Sequence, residues 1–329
     1  MPDVSVVIPT YNRAREVVQA IDSALKQTYK DMEIIVIDDG STDDTADVVG
    51  RYGNAVRYIR TANAGCAAAR NKGIQVARGK YVAFLDSDDT WHAQKLEAQV
   101  GAMERFGPAA GVCFTDAQAV GNPARKRSFF QENSYDPGTE VALIDDTISF
   151  VMLPKQPVLL PAMMVTRCLL EEGGGFDEAL IVSQDTDLIF RLALVTRFCV
   201  VNRVLAFFDV SDTRSVSQIR VVRKDPLVRL DAEERLYLRL LDAVEGHHHK
   251  ATGEVRLRLS SVYSRRGMLY LRRSEKKLAR AALRKSLGYG PSARSCARLV
   301  LSCVWPSLLI HISDRMRRAA ERVPEARVK

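Results

Sequence analysis

A chain of 329 residues with 47% hydrophobic and 27% charged side chains has a globular composition, which excludes wholesale disorder and allows two domains or one large domain with an appendage. Its formal charge of +8 is unevenly spread: residues 251–329 carry 19 Lys and Arg against 5 Asp and Glu (+14), and residues 1–250 carry 29 against 35 (−6). A strongly basic tail behind an acidic first part points to an anionic membrane or nucleic acid as the tail's partner. Six cysteines without a CxxC pair exclude a zinc or disulfide framework and are expected to be reduced and mostly buried. The opening MPDVSVVIPT has no basic segment before its short apolar run, so no secretory signal is expected and the chain reads as cytoplasmic.

In chain order, Val4-Ser5-Val6-Val7-Ile8 is a β-branched run closed by Pro9, and Val17, Val18, Ile21 and Leu25 follow at helical spacing. Residues 34–37 form a second run and end in Asp38-Asp39-Gly40-Ser41. Runs at 56–59 and 81–85 flank an Ala-rich helical stretch over 63–77. Continuous apolar strands separated by helices predict an α/β fold with a mostly parallel, buried sheet. Residues 121–140 turn polar and read as a long excursion, and apolar runs resume at 158–165 and 198–208. A helix over 184–195 is predicted, and from Asp225-Pro226 onward the pattern is helical, with Asp as N-cap and Pro in the first turn. We place the boundary near residues 215–225, giving units 1–220 and 221–329.

The chemistry-bearing residues collect at strand ends. Phe84-Leu85-Asp86-Ser87-Asp88-Asp89 delivers three carboxylates after an apolar run. In extended chain Asp86 and Asp88 lie on one side, about 7 Å apart, and a hard cation such as magnesium or manganese suits such a pair. The bland alternative is an acidic turn in which Asp88 or Asp89 caps a helix over 91–103. Asp38-Asp39 and Pro9-Thr10-Tyr11-Asn12 also follow strands. Each is ordinary turn chemistry alone. Together, on the carboxyl edge of a parallel sheet, they favour a nucleotide site with a metal.

The segments VSVVIPTYN (4–12), EIIVIDDGSTDDT (33–45), NAGCAAARNKGI (63–74), YVAFLDSDD (81–89) with Trp91 and Leu96, GGFDE (174–178) and SQDTDLIFRL (183–192) occur in the order and spacing of a known family. Over residues 4–215 the chain resembles the inverting, family-two nucleotide-sugar glycosyltransferases of the GT-A fold. The resemblance implies that Pro9 and Tyr11 line a base pocket, that Asp39 bonds the base and that Arg70 helps hold the nucleotide. It implies that Asp86 contacts the ribose or the metal's shell, with Ser87 in the same nucleotide-binding set, and that Asp88 binds Mn2+ or Mg2+, with Asp89 as its substitute. Gly174, Gly175 and Phe176 would lie beside donor sugar and acceptor. Asp185 would be the catalytic base, with Asp187 as runner-up, and Gln184 stands where the family often has Glu. Uridine diphosphate is the commonest donor nucleotide of such enzymes.

The remaining features say less. His247, His248 and His249 are consecutive and splay about 100° apart on a helix, which suits a solvated helix end better than a metal. His92 and His311 have no partners in sequence, and Lys155 is by default a surface lysine. In the tail, 256–284 is basic and amphipathic, and 299–313 is apolar but broken by Pro306 and too short to span a bilayer. With Trp305 inside it and Arg294, Arg298, Arg315, Arg317 and Arg318 around it, the stretch fits an anionic membrane surface, or equally a helical cap with a wet basic face. Nucleic acid is disfavoured because aromatics do not interleave with the basic residues. The expectation is a sugar transferase that draws on a nucleotide sugar and acts on a glycan or lipid-linked acceptor, peripheral at the inner face of the membrane. Its rivals are a nucleotide-sugar-binding protein without turnover and a polyanion-binding scaffold.

Overall fold

The VSVVIPT run forms β1 (Val4–Thr10), buried at every position as a central parallel strand must be. In this computed structural model the described residues are 2–153, 156–211, 225–245, 249–291, 293–304, 307, 310, 311 and 315. Parallel to β1 on one side runs β2 (Met32–Asp38), followed outward by β3 (Arg57–Arg60); on the other side runs β4 (Tyr81–Phe84). The helices α1 (Glu16–Leu25), α2 (Thr45–Gly50) and α3 (Cys66–Val76) connect these strands. Because Thr10 pairs with Asp38 and Asp38 with Arg60, the carboxyl ends of three strands finish on one edge. Gly73 brings α3 onto β1, since a Cβ there would collide with Val7 Cγ1.

Beyond β4 the sheet changes character. After β5 (Thr90–Trp91), α4 (Lys95–Phe106) and β6 (Ala110–Val120) come α5 (Phe129–Glu132), β7 (Val141–Ile144), α6 (Thr147–Val151), β8 (Met163–Thr166), α7 (Arg167–Glu172), α8 (Gln184–Val195) and β9 (Arg197–Asp209). Among the described residues, nine strands form one sheet in the order β3-β2-β1-β4-β8-β6-β9-β5, with β7 beside β9. Strand β8 runs antiparallel to both β4 and β6, β6 and β9 are parallel, and β5 and β7 are antiparallel to β9. The expected parallel character holds for β1–β4 and for the β6–β9 pair, and the remaining pairs of the second half are antiparallel. Pairing of that kind depends on partners far away in sequence, which apolar runs do not encode.

Two local findings depart from the sequence reading. The polar excursion contains α5, closed by a capping box between Ser128 and Gln131, and Phe130 and Tyr135 join Phe114 and Phe150 in an aromatic cluster. Neither Asp88 nor Asp89 caps the next helix; α4 starts at Lys95 and Asp89 Oδ1 instead accepts from the Asp209 amide at 3.1 Å. Lys95 itself is wholly buried, donating to Gln99 Oε1 at 2.7 Å with its ammonium 3.9 Å from the centre of the Trp91 ring.

The chain divides into compact units over residues 1–220 and 221–329. Residues 212–224, where the boundary is expected, lie outside the described residues. The second unit comprises α9 (Pro226–Val244), capped by Asp225 as expected, α10 (His249–Arg272), α11 (Lys276–Tyr289) and α12 (Ala293–Val304). Its core is Leu236, Leu240, Val255, Leu259, Val262 and Leu283. Arginines of α10 meet acids of α9: Arg265 pairs with Glu233, and Arg266 with Glu234 and with Asp231 at 2.7 Å. Among the described residues no helix is long and apolar enough to cross a membrane. The expectation of mostly buried cysteines fails: Cys113 and Cys199 are buried, but Cys168, Cys296 and Cys303 are exposed, and all six are free. Lys155, His247, His248, Trp305, Pro306, Arg317 and Arg318 lie outside the described residues, as do the side chains of His249 and Arg294.

Candidate active site

The site begins where β1, β2 and β3 end. Pro9 is buried in β1 opposite Ile37, and Tyr11, one residue past the strand, is 47% exposed over the edge. The turn is braced by Asn12, whose backbone is left-handed (φ 50°); its amide donates to Ser41 Oγ at 2.9 Å and its Oδ1 accepts from the Thr42 amide at 2.7 Å. Asp38, fully buried, accepts from the Ser41 amide and the Tyr58 hydroxyl. Asp39 spans the loop ahead of α3, its two oxygens accepting from the amides of Ala64 and Gly65 at 2.8 Å each. A base N–H would share these oxygens, each of which has a second lone pair.

Helix α3 carries Arg70 into the same edge. The guanidinium is 7% exposed, and Nη2 donates to Asp86 Oδ1 at 2.6 Å. Burial works against its charge, but the Asp86 carboxylate, Cys66 and Asp185 more than offset this and raise its pKa. Its Nε is buried without a partner. The extended geometry expected for Asp86 and Asp88 is replaced by a turn, in which the Asp89 amide donates to the Asp86 carbonyl at 3.0 Å. Strand β4 stops at Phe84, so the carboxylates fan out to different cations: Asp86 to Arg70, and Asp88 to Arg13 Nη1 at 2.6 Å. Arg13 also reaches Ser87 Oγ at 3.4 Å. Sequence reasoning passed over Arg13, although it directly follows the Tyr11-Asn12 turn.

The third wall is the loop after α7 and the head of α8. Gly174 (φ 73°) and Gly175 (φ 64°) hold left-handed backbone, and a Cβ on Gly175 would sit 2.5 Å from Asn71 Oδ1. Phe176 is buried, edge-on to Phe84 at 5.2 Å, with the Arg70 guanidinium 5.3 Å from its ring centre. Asp185 stands in the first turn of α8 with its Oδ1 accepting from the Thr186 amide at 2.8 Å, half-buried and close enough to Arg70 to act on its charge. Ser183 precedes it in left-handed backbone and makes no side-chain cap. Asp187, the alternative base, is 1% exposed and bonded to Arg191 Nε at 2.8 Å. Gln184 is buried as well, donating to the Leu180 carbonyl.

The structure thus brings Pro9, Tyr11, Asp39, Arg70, Asp86, Ser87 and Asp88 to one sheet edge; Phe176 joins it through the Arg70 guanidinium, and the charge of Asp185 acts on that same group. Among the described residues, no three His, Cys, Asp or Glu side chains converge as a ready cation cage. The donors still suit a hard divalent ion. Burial, with the charges of Asp86 and Asp88, pushes the Asp89 carboxyl well above the usual range, the mark of carboxylates crowded into one turn, and a divalent cation there would relieve their repulsion.

The sequence model described as Glycosyl transferase family 2 matches residues 5–168. An uncharacterized glycosyltransferase of Rickettsia felis is 32% identical over 196 residues, 59% of this chain and 32% of that protein. The Escherichia coli UDP-Glc:alpha-D-GlcNAc-diphosphoundecaprenol beta-1,3-glucosyltransferase WfaP is 44% identical over 104 residues, 31% of this chain and 41% of that protein. The matches with the first Rickettsia relatives span from about a third to two thirds of those proteins. Among solved structures, S. aureus TarS 1-349 in complex with UDP-GlcNAc superposes with a TM-score of 0.72 at 20% identity, covering 97% of this chain and 92% of that one. The mannosyltransferase PcManGT of Pyrobaculum calidifontis, in complex with GDP-Man and Mn2+, gives 0.53 at 18% identity, covering 98% and 88%. Those two structures share the fold, and the sequence motifs share the edge on which the site is built: the chain belongs to glycosyl transferase family 2.

Proposed function

We propose that the protein transfers a sugar from a nucleoside-diphosphate sugar to a glycan or lipid-linked acceptor in surface polysaccharide synthesis, with inversion at the anomeric carbon, and that residues 1–220 are its catalytic domain. The observation that carries this reading is Arg70. One buried guanidinium bonds the Asp86 turn and feels the charge of Asp185, as a group that binds a diphosphate leaving group near an attacking hydroxyl would have to.

In this reading Pro9, Tyr11 and Asp39 hold the base, and Arg70 gives its fork of donors to the diphosphate. Asp86 and Ser87 contact the ribose. Asp185 accepts the proton of the acceptor hydroxyl as the new C–O bond forms. Gly174 and Gly175 leave room for a sugar ring. A divalent cation held by Asp88, with Asp86 or Asp89 beside it, would supply Lewis-acid neutralisation of the charge that develops on the leaving diphosphate. Asp88 exchanges its Arg13 pair for that role. The TarS and PcManGT complexes support a nucleotide-sugar donor with UDP first and guanosine second, and PcManGT supports manganese. The name of WfaP supports a lipid-linked acceptor.

The second unit supports a peripheral position. Val300 and Val304, one helical turn apart on α12, are 59% and 71% exposed on a strongly basic segment. Binding to vesicles of anionic lipid that is lost in a V300D/V304D variant checks this. The donor test is a thermal-shift titration with uridine, guanosine and thymidine diphosphates, with and without manganese. A nucleotide at a hundred times its Kd stabilises by about 2.7 kcal/mol. One of them is expected to do so with manganese, and release of that nucleotide from its sugar donor follows. No shift with any of the three overturns the reading, and binding without release in the wild type turns it into that of a binding protein.

A further inference from the structure

The loop over 173–176 has no strand or helix of its own to hold it, yet most of its backbone polar groups are taken. Arg191, on α8, donates from Nη1 to the Gly173 carbonyl and from Nη2 to the Gly175 carbonyl, 2.5 Å each. Its Nε donates to Asp187 Oδ2, so a buried carboxylate fixes the plane of the fork. Asn71, on α3, closes the other side: its Oδ1 accepts from the Phe176 amide at 2.7 Å and its Nδ2 donates to the Phe176 carbonyl at 2.9 Å and to Glu178 Oε1 at 2.8 Å. The Phe176 ring so placed supports the Arg70 guanidinium.

Asn71 is the residue after Arg70, and Arg191 lies on the helix that begins with Asp185. The loop is therefore tied by side-chain bonds to both helices that carry the proposed chemistry. We propose that Asn71 and the Asp187–Arg191 pair are positioning residues: they clamp the 173–176 loop and thereby fix the separation between Arg70 and Asp185. This rests on the function proposed above, because that separation matters only if Arg70 holds a leaving group and Asp185 receives a proton. An apolar cleft of about 280 Å³ lined by Leu169, Leu188, Arg191 and Leu192 lies behind the clamp and leaves Arg191 room for an altered side chain.

The clamp does not need every atom for folding, since Arg191→Lys keeps a cation beside Asp187 while a single ammonium cannot bridge a carboxylate and two carbonyls in one plane. Three readings on the full chain test it: hydrogen exchange over residues 172–178, diphosphate release from UDP-glucose, UDP-N-acetylglucosamine, GDP-mannose and TDP-glucose with water as acceptor, and the thermal transition. Arg191→Lys and Asn71→Ala are each expected to speed exchange of the loop at least tenfold with α3 and α8 unchanged. Both should lower kcat at least twentyfold while the donor KM moves less than threefold. Guanidinium ion added to Arg191→Ala should restore part of the rate. Unchanged loop exchange, kcat within twofold of wild type, or a thermal transition lowered by more than 10 °C in both variants overturns the assignment, the last because the residues would then serve the fold at large. If the wild type releases no diphosphate, the functional reading fails, and the exchange experiment still decides whether the clamp exists.

Discussion

Each unit of the molecule draws a carboxyl at least partly out of water with an arginine charge acting on it, and the two are driven in opposite directions. Glu234, on α9, is resisted by burial, but the Tyr263 hydroxyl and the Arg266 guanidinium bond its charged form and hold it below the usual range. Asp89, at the sheet edge, is pushed up by burial and by the charges of Asp86 and Asp88, which disfavour its own. The first is a brace between helices of a basic unit. The second belongs to a turn of mutually repelling carboxylates at a strand end, beside which Arg70 has a buried donor without a partner. Charge and burial alone do not mark a functional site; a carboxyl whose charge is left uncompensated at a strand end is a candidate for one.

The sharpest way to break this contrast is at Asp185. Asp185→Asn keeps size and hydrogen bonding to the Thr186 amide, and is expected to lower transfer about 10³-fold, within the range for loss of a general base, while nucleotide affinity stays within threefold. Equal loss of both in a calorimetric titration and a rate assay would assign Asp185 to the fold. Next in size, Asp88→Ala is expected to abolish the manganese-dependent part of nucleotide stabilisation, about 2 kcal/mol or more at saturating nucleotide, and the part seen without metal should survive. A variant that stabilises with manganese as the wild type does moves the metal role to Asp89 or Asp86.

Lys95 tests the core between these extremes. Burial lowers its pKa to about 7. The unfolded side chain titrates near 10.4, so between these values the unfolded chain binds a proton that the folded one lacks, and stability rises with pH across that window. Below pH 7 the penalty is fully present and constant. Lys95→Met is expected to flatten the dependence and raise stability at pH 7 by a few kcal/mol, on the order of one pKa unit per 1.4 kcal/mol, as read by denaturant melts at pH 7 and 9. The smallest effect belongs to Glu234→Gln. Its carboxyl is held low, so its contribution is present at neutral pH and is lost as pH falls through the folded pKa; the variant should lose about 1 kcal/mol at pH 7 and progressively less in acid, with transfer unchanged.

The strands β1 and β2 were legible because a parallel strand covered on both faces leaves a continuous β-branched run, and VSVVIPT and EIIVID are such runs. The α8 boundaries and the Asp225 cap were legible from local signals of the same kind. The mixed half was not, because β8 is four residues long and its direction is set by partners in β4 and β6. At the site, residues that end strands stood out. Those that reach main-chain groups did not: Asn71 finds its partner 105 residues away at Phe176, and nothing in an asparagine's neighbours announces a carbonyl so distant. The turn at Asp86 was misread as extended chain because the apolar run continues through Leu85, although β4 ends at Phe84 and Ser87 and Asp88 are turn formers.

The central claim is that Arg70 holds the leaving diphosphate across from Asp185. Calorimetric titration of UDP, with manganese, into the wild type, Arg70→Ala and Asp185→Asn tests it most directly. Binding to the wild type and to Asp185→Asn is expected with affinities within threefold, and at least a hundredfold loss in Arg70→Ala. Equal binding by all three proteins would contradict it.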